Sequence, residues 1–375
     1  MKKMMILWAF SLMTVTACSS ETERQEPTET EQQTNKDQTM EQTNGNQTYL
    51  TLNNGVQMPQ FGLGVYSIPS GEVTYNSVMT ALKAGYRHID TAHAYHNERS
   101  VGQAVKDSGI SRDSIWITSK LWHNEYGEGK TLAAIDRMLG RLGLEYIDLV
   151  YFHQSIGDYV GGWREMEQAL ENGKVRAIGI SNFDVTDSIW NSLVETARIK
   201  PQIVQIECHP YAQRRHWREM AAKHDIKIEC WFPLGGRDSK GEILRNPVIN
   251  DIAKAHGKSA AQVIIRWHLQ EGFSVIPGSS NPAHIRENIE VFDFALTAEE
   301  MQQIRALNKE QRYFKCHTSS RSSGSRSGIL RTDPLRRQTL AVLAGREGEV
   351  FLEHASEVLG VFEAEEVGSL GDGVA

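Results

Sequence analysis

From Thr48 onward, short apolar runs alternate with longer segments whose apolar positions recur at helical spacing. The first pattern predicts buried strands and the second amphipathic helices. Thr48–Leu52 and Val56–Met58 flank Asn53-Asn54-Gly55, which predicts a hairpin. Phe61–Val65 reads as a first strand. Helix Tyr75–Ala84 then leads to strand His88–Asp90, helix Glu98–Lys106 to Ile115–Ser119, and helix Lys130–Leu142 to Ile147–Tyr151. Helix Trp163–Asn172 leads to strand Ala177–Ile180, helix Val185–Ala197 to Ile203–Ile206, and helix Trp217–His224 to Lys227–Cys230. Helices around Val248–Ala255 and Ala260–Gln270 precede a last strand, Ser274–Ile276. Continuous strands such as Ile147-Asp148-Leu149-Val150-Tyr151-Phe152 suit a sheet buried on both faces. Repeated βα units without a second domain predict an α/β fold, a (β/α)8 TIM barrel with the hairpin as an N-terminal plug. A doubly wound sheet is the alternative, but Gly62-Leu63-Gly64 lacks the third glycine of a dinucleotide fingerprint.

The ends of the chain follow other patterns. Lys2 and Lys3 precede a short apolar run, Met4–Val15, and then Ala17 and Cys18. This is a basic segment, an apolar stretch too short to span a bilayer, and a small residue at a cleavage point. Val15-Thr16-Ala17-Cys18 resembles a bacterial lipobox, which implies lipidation of Cys18 and anchoring at a membrane of the cell envelope. Without use of that segment the expected location is the cytoplasm. Residues 19–48 are rich in Glu, Gln, Thr and Asn and read as a flexible tether. The folded domain is expected over residues 49–315. Residues 316–375 form an unassigned tail, Ser/Arg/Gly-rich over Ser319–Gly328. An added module and a frameshifted reading frame both account for that tail. The net charge of −7 gives no reason to expect nucleic acid. Cys18, Cys208, Cys230 and Cys316 show neither disulfide nor zinc spacing, so no metal is expected; Cys208 and Cys230 read as small strand residues.

Candidate chemistry gathers where barrel strands end, because those ends converge on one mouth. Gly85–Gly102 closes a strand on Asp90, places Tyr95 five residues later, and opens a helix at Glu98. The next strands end at Lys120, His153 and Ser181-Asn182; the sixth carries Gln205 and Glu207, the seventh ends at Trp231, and the eighth leads into Pro277-Gly278-Ser279-Ser280. An acid, a phenol, an ammonium and an imidazole thus face one cavity. A metal-dependent hydrolase is disfavoured, since no His/Asp cluster has ligand spacing.

From about Tyr49 to Phe314 the chain resembles the aldo-keto reductases, nearest the bacterial diketogluconate and methylglyoxal reductase type. The resemblance rests on residues 52–66 (LNNGVQMPQFGLGVY), 85–95 (GYRHIDTAHAY), 117–122 (ITSKLW), 174–183 (KVRAIGISNF) and 287–296 (ENIEVFDFAL). It implies a catalytic tetrad of Asp90, Tyr95, Lys120 and His153. It implies that Ser181, Asn182 and Gln205 hold a nicotinamide carboxamide and that Trp231 stacks on the ring. Leu234 and Gly235 follow the family pattern, as do Glu287 and Asn288. The implied cofactor is NADPH, with NADH as the alternative, and the implied reaction is reduction of aldehydes or ketones by a monomer. Tyr66, Trp122, His153 and the loop Gln154–Val160 are expected to line the substrate pocket. On chemical grounds a Lys120 ammonium beside Tyr95 is expected to lower the phenol's pKa. His153 is expected to orient the carbonyl oxygen.

The sequence departs from that pattern twice at the adenosine phosphate, at Gly278 and His284, and once at the pyrophosphate, at Phe232. Gly278 stands where the family has lysine, His284 where it has arginine, and Phe232 where it has a small hydroxyl residue. Ser279, Ser280 and Arg286 are the remaining candidates for a phosphate. A catalytically silent cofactor-binding sensor on the same barrel is the second functional reading, favoured by a lipobox because nicotinamide cofactors are scarce outside the cytoplasm.

Overall fold

The computed structural model describes residues 47–314. The signal segment with Cys18, nearly all of the tether, and the tail from residue 316 lie outside the described residues. Eight parallel strands form one sheet in sequence order: β3 (Leu63–Gly64), β4 (His88–Asp90), β5 (Trp116–Leu121), β6 (Ile147–Phe152), β7 (Val175–Ser181), β8 (Ile203–Glu207), β9 (Lys227–Trp231) and β10 (Ser274–Val275). The edges are joined by isolated parallel bridges, Phe61 to Val275 and Gly64 to Gly278. The Gly62 amide lies 3.0 Å from the Val275 carbonyl, and the Val275 amide 2.9 Å from that of Gln60. The sheet is therefore curled with its edges bridged, consistent with a (β/α)8 barrel. The first strand is shorter than the expected Phe61–Val65, because its outer residues meet β10 only through single bridges.

Helices cover the sheet between strands, from Glu72–Ala84 to Ala298–Arg305. Several boundaries differ from the sequence pattern, among them helix Glu72–Ala84, which begins before Tyr75. Helix Tyr159–Glu171 begins before Trp163, because the Asp158 carboxylate accepts the Gly161 amide at 2.9 Å and caps a start whose glycines are poor helix formers. Helix Asp187–Val194 is shorter than expected and starts on the Thr186 cap. Helix Glu98–Asp107 crosses the end of Thr131–Leu142 so closely that a β-carbon on Gly102 would lie 1.8 Å from the Leu142 carbonyl oxygen. Only glycine permits that crossing.

The antiparallel pair β1 (Tyr49–Thr51) and β2 (Gln57–Pro59) forms the expected hairpin. Leu52 and Met58 are buried against Trp116, Leu149, Tyr151, Ala177 and Ile203. Asn53 Nδ2 donates to the Pro201 carbonyl at 3.0 Å, and Asn54 Nδ2 to that of Arg176, also at 3.0 Å. These contacts lie where β7 and β8 begin. Among the described residues no helix is long and apolar enough to cross a membrane.

Candidate active site

At the other ends of β4 and β5, Asp90 and Lys120 are fully buried neighbours. Lys120 Nζ donates to Asp90 Oδ1 at 2.6 Å, to Oδ2 at 2.7 Å and to the Thr91 carbonyl at 3.1 Å. An ammonium has three hydrogens, so all of them are spent there. Gln205 reaches across from β8, its Nε2 2.8 Å from Asp90 Oδ2. A buried charge must be paired and bonded to persist, and Asp90 is both.

Tyr95 closes a short turn, His93–Tyr95, just past β4. His93 Nδ1 lies 2.6 Å from Glu125 Oε2. Asn97 anchors the other side, donating to the Val65 carbonyl at 3.0 Å and accepting from Thr91 Oγ1 at 2.7 Å. The Tyr95 ring stands 5.0 Å from Lys120 Nζ, centroid to nitrogen, and edge-on to His153 at 5.6 Å. Tyr66 and Trp122 complete the rim, 5.1 Å from Tyr95 and from His153 respectively. The tetrad and both rim aromatics therefore share one mouth. The sequence pattern did not single out His93, Asn97 or Glu125; the first two lie two residues either side of Tyr95, and Glu125 is distant in sequence.

The electrostatics reverse one expectation. Tyr95 is held well above its ordinary pKa, first by burial and then by the Asp90 carboxylate, Tyr66 and Glu229. Lys120 does not depress it, because Asp90 takes its charge and Thr91 its remaining hydrogen. The phenol stays protonated and can give its proton. Burial, then Lys120 and His123, hold His153 well below the usual imidazole value, so it is neutral. Its Nδ1 is buried with no hydrogen-bond partner among the described residues. Asp90 is raised by burial, against the pull of Lys120.

The nicotinamide-holding candidates also converge. Ser181 lies opposite Gln205 in the sheet, its Oγ 3.5 Å from Gln205 Oε1. Asn182, at a left-handed φ of 60°, donates from Nδ2 to the His153 carbonyl at 2.9 Å and to Ser181 Oγ at 3.2 Å. Trp231, at the end of β9, has a buried indole nitrogen without a partner among the described residues. Phe232 stands between Trp231 and Tyr66, at 4.9 and 6.1 Å, and so belongs to the mouth. Phe314 meets Trp231 edge-on at 5.5 Å. Glu207 faces that C-terminal segment rather than the acid–base cluster: it accepts Arg312 Nε at 2.9 Å and the Tyr313 amide at 2.6 Å. Leu234 is half-buried and Gly235, at φ 88°, closes a turn on the Phe232 carbonyl. The convergence of Ser181, Asn182 and Gln205 beside the unpartnered Trp231 indole nitrogen fits the cofactor.

The phosphate end is looser. Ser279 accepts the Asn281 amide at 3.0 Å, while Ser280, His284 and Arg286 are exposed. His284 and Arg286 sit two residues apart in helix Pro282–Ile289, about 200° around its axis. Arg286 lines an outer cleft with Ala84, Ile289 and Phe292. It therefore faces away from the side His284 presents. Glu287 is half-buried and its carbonyl accepts Gln262 Nε2 at 2.9 Å; Asn288 is buried. A β-carbon on Gly278 would lie 2.9 Å from the Gly64 carbonyl oxygen, so a lysine there requires the backbone bridging the sheet edges to shift.

The fold also gathers what spacing did not. Cys208, Cys230 and His268 are buried with their ligand atoms within 4.8 Å of one another. Both His268 ring nitrogens lie beside backbone carbonyls, of Ile264 at 2.8 Å and Cys208 at 3.0 Å.

Comparison with known proteins agrees with this geometry. The model of the Aldo/keto reductase family matches residues 61–309. A 9,11-endoperoxide prostaglandin H2 reductase of Trypanosoma cruzi is 47% identical over 270 residues, covering 72% of this chain and 94% of that protein. A glyoxal reductase of Bacillus subtilis is 44% identical over 264 residues, covering 70% and 94%. Among solved structures, a variant of Gox0644 in complex with NADPH is 38% identical with a TM-score of 0.65, covering 70% of this chain and 94% of that one.

Proposed function

The chain belongs to the aldo/keto reductase family, and from that premise we propose that it reduces aldehydes and ketones to alcohols with NADPH. The observation that carries this is the buried Asp90–Lys120 pair beneath a protonated Tyr95 and a neutral His153. NADPH, when bound, supplies the hydride. Ser181, Asn182 and Gln205 would hold its carboxamide, and Trp231 its ring face. The chain's own residues do the rest. Neutral His153 fixes the carbonyl oxygen beside Tyr95. Tyr95 gives that oxygen its proton as charge develops. Lys120, its hydrogens taken by Asp90 and Thr91, holds that carboxylate in place beside the Tyr95 ring. Nothing observed favours the silent sensor, and the tetrad has no evident use in one.

Tyr66, Trp122 and Phe232 make an aromatic rim that suits small carbonyls and dicarbonyls; the glyoxal reductase relative supports that class. The diketogluconate or methylglyoxal type is our subtype reading. The hairpin acts as a plug at the opposite mouth, supported by Leu52 and Met58 in its core cluster. We read the protein as a monomer, lipidated at Cys18 and held at the cell envelope, on the strength of the lipobox. Cys18→Ser should then move it from the membrane to the soluble fraction; an unchanged distribution overturns the anchor.

The function is tested by following NADPH oxidation with methylglyoxal and with an aromatic aldehyde. Turnover that disappears in Tyr95→Phe is expected. Tight NADPH binding without turnover on any carbonyl would return the silent reading.

A further inference from the structure

One buried carboxylate has no place in the tetrad. Glu229, in β9, is fully buried inside the sheet. Its Oε1 accepts Gln205 Nε2 at 2.6 Å and the Tyr151 hydroxyl at 3.1 Å, and its Oε2 accepts Ser274 Oγ at 2.8 Å. It places a second acid near Asp90, where Lys120 is the neighbouring ammonium. His88, 3.8 Å away, is held neutral with its pKa lowered to about 4, chiefly by burial. Such a carboxylate is expensive to keep, and the Asp90–Lys120 pair is complete without it.

Its effect falls on Gln205. That amide nitrogen has two hydrogens. One goes to Asp90 Oδ2 at 2.8 Å and the other to Glu229 Oε1 at 2.6 Å. Turned over, the amide would set its carbonyl oxygen against two carboxylate oxygens in a buried site. With the nitrogen pinned, Oε1 alone faces Ser181 and the mouth.

We propose that Glu229 is a positioning residue that locks the Gln205 amide, so that the mouth meets a hydrogen-bond acceptor and never a donor. Resting on the reductase reading, this makes Gln205 select the NH2 of a nicotinamide carboxamide. Ser181 and Asn182 are left to serve its carbonyl. Without Glu229 one amide hydrogen loses its acceptor and Asp90 alone opposes the flipped amide.

The test compares NADP+ with its 3-acetylpyridine analogue, which has a methyl group in place of that NH2. Dissociation constants are read from quenching of tryptophan fluorescence, without turnover. The wild type should prefer NADP+ by about tenfold, the weight of one lost buried hydrogen bond. In Glu229→Leu the preference should fall to within about twofold. Glu229→Gln, which can still turn a carbonyl oxygen to Gln205, should restore most of it and also serves if the leucine variant does not fold. Preference unchanged in Glu229→Leu, or lost equally in Glu229→Gln, overturns the proposal while the reductase reading stands. A wild type that binds neither dinucleotide takes down the reductase reading, and this proposal with it.

Discussion

Asp90, Lys120 and Gln205 are buried and tied to one another at 2.6 to 2.8 Å. Along residues 279–288, by contrast, Ser280, His284 and Arg286 stand exposed, and Ser279 bonds only within its own turn. The first region is assembled by folding itself, since its charges could not be buried otherwise. In the second, solvent satisfies each side chain, so only a ligand would draw them together. The first region suits a chemistry that needs fixed geometry; the second is our candidate for the cofactor's far end.

That contrast predicts unequal sensitivity. Tyr95→Phe removes the proton donor and should lower kcat/KM by about 10²- to 10⁴-fold, with NADPH binding close to wild type. A loss below tenfold would mean that another group supplies the proton. Lys120→Met leaves Asp90 buried and unpaired beside Gln205 and Glu229. It should cost about 3–5 kcal/mol of stability, read from the urea midpoint at constant m-value. The same exchange at Arg286, in the exposed region, should stay within about 0.5 kcal/mol. Equal costs would erase the distinction.

Proton bookkeeping sharpens the comparison. The acid form of Tyr95 is the active one, and its pKa is raised by burial, so activity should persist below the folded value and fall only above it. His153 is lowered, so it should remain neutral down through the acid side of its ordinary value near 6.5. The kcat/KM profile for reduction should therefore be flat from about pH 7 to beyond pH 9. A basic limb near pH 8 would show that Lys120 depresses the phenol after all.

The strand ends were legible because period-two and helical patterns mark where each βα unit turns, and barrel geometry does the rest. That placed Asp90, Tyr95, Lys120 and His153 at one mouth, and the family resemblance singled them out there. The direction of the Tyr95 pKa could not be read, because it depends on where three hydrogens of Lys120 go. Glu229 was invisible for a similar reason: an inward glutamate in a strand looks like any other until Gln205 is seen to bridge it to Asp90. At the phosphate end the sequence supplied a list of basic and hydroxyl residues but not their faces. Helical spacing alone separates His284 from Arg286.

The smallest effect tests the exposed region directly. A β-carbon at 278 would meet the Gly64 carbonyl oxygen at 2.9 Å, so restoring charge there would strain the bridged edge. Ser280 is exposed and two residues further on, just before the Asn281 cap of helix Pro282–Ile289. A guanidinium at that position can meet a phosphate in two parallel hydrogen bonds, weakened by solvent. Ser280→Arg should raise the preference for NADPH over NADH by about threefold to tenfold, measured as the ratio of dissociation constants, and high salt should erase most of the gain. A ratio that does not move would place the 2′-phosphate out of reach of this loop, and the comparison would then be between a built site and a bare surface.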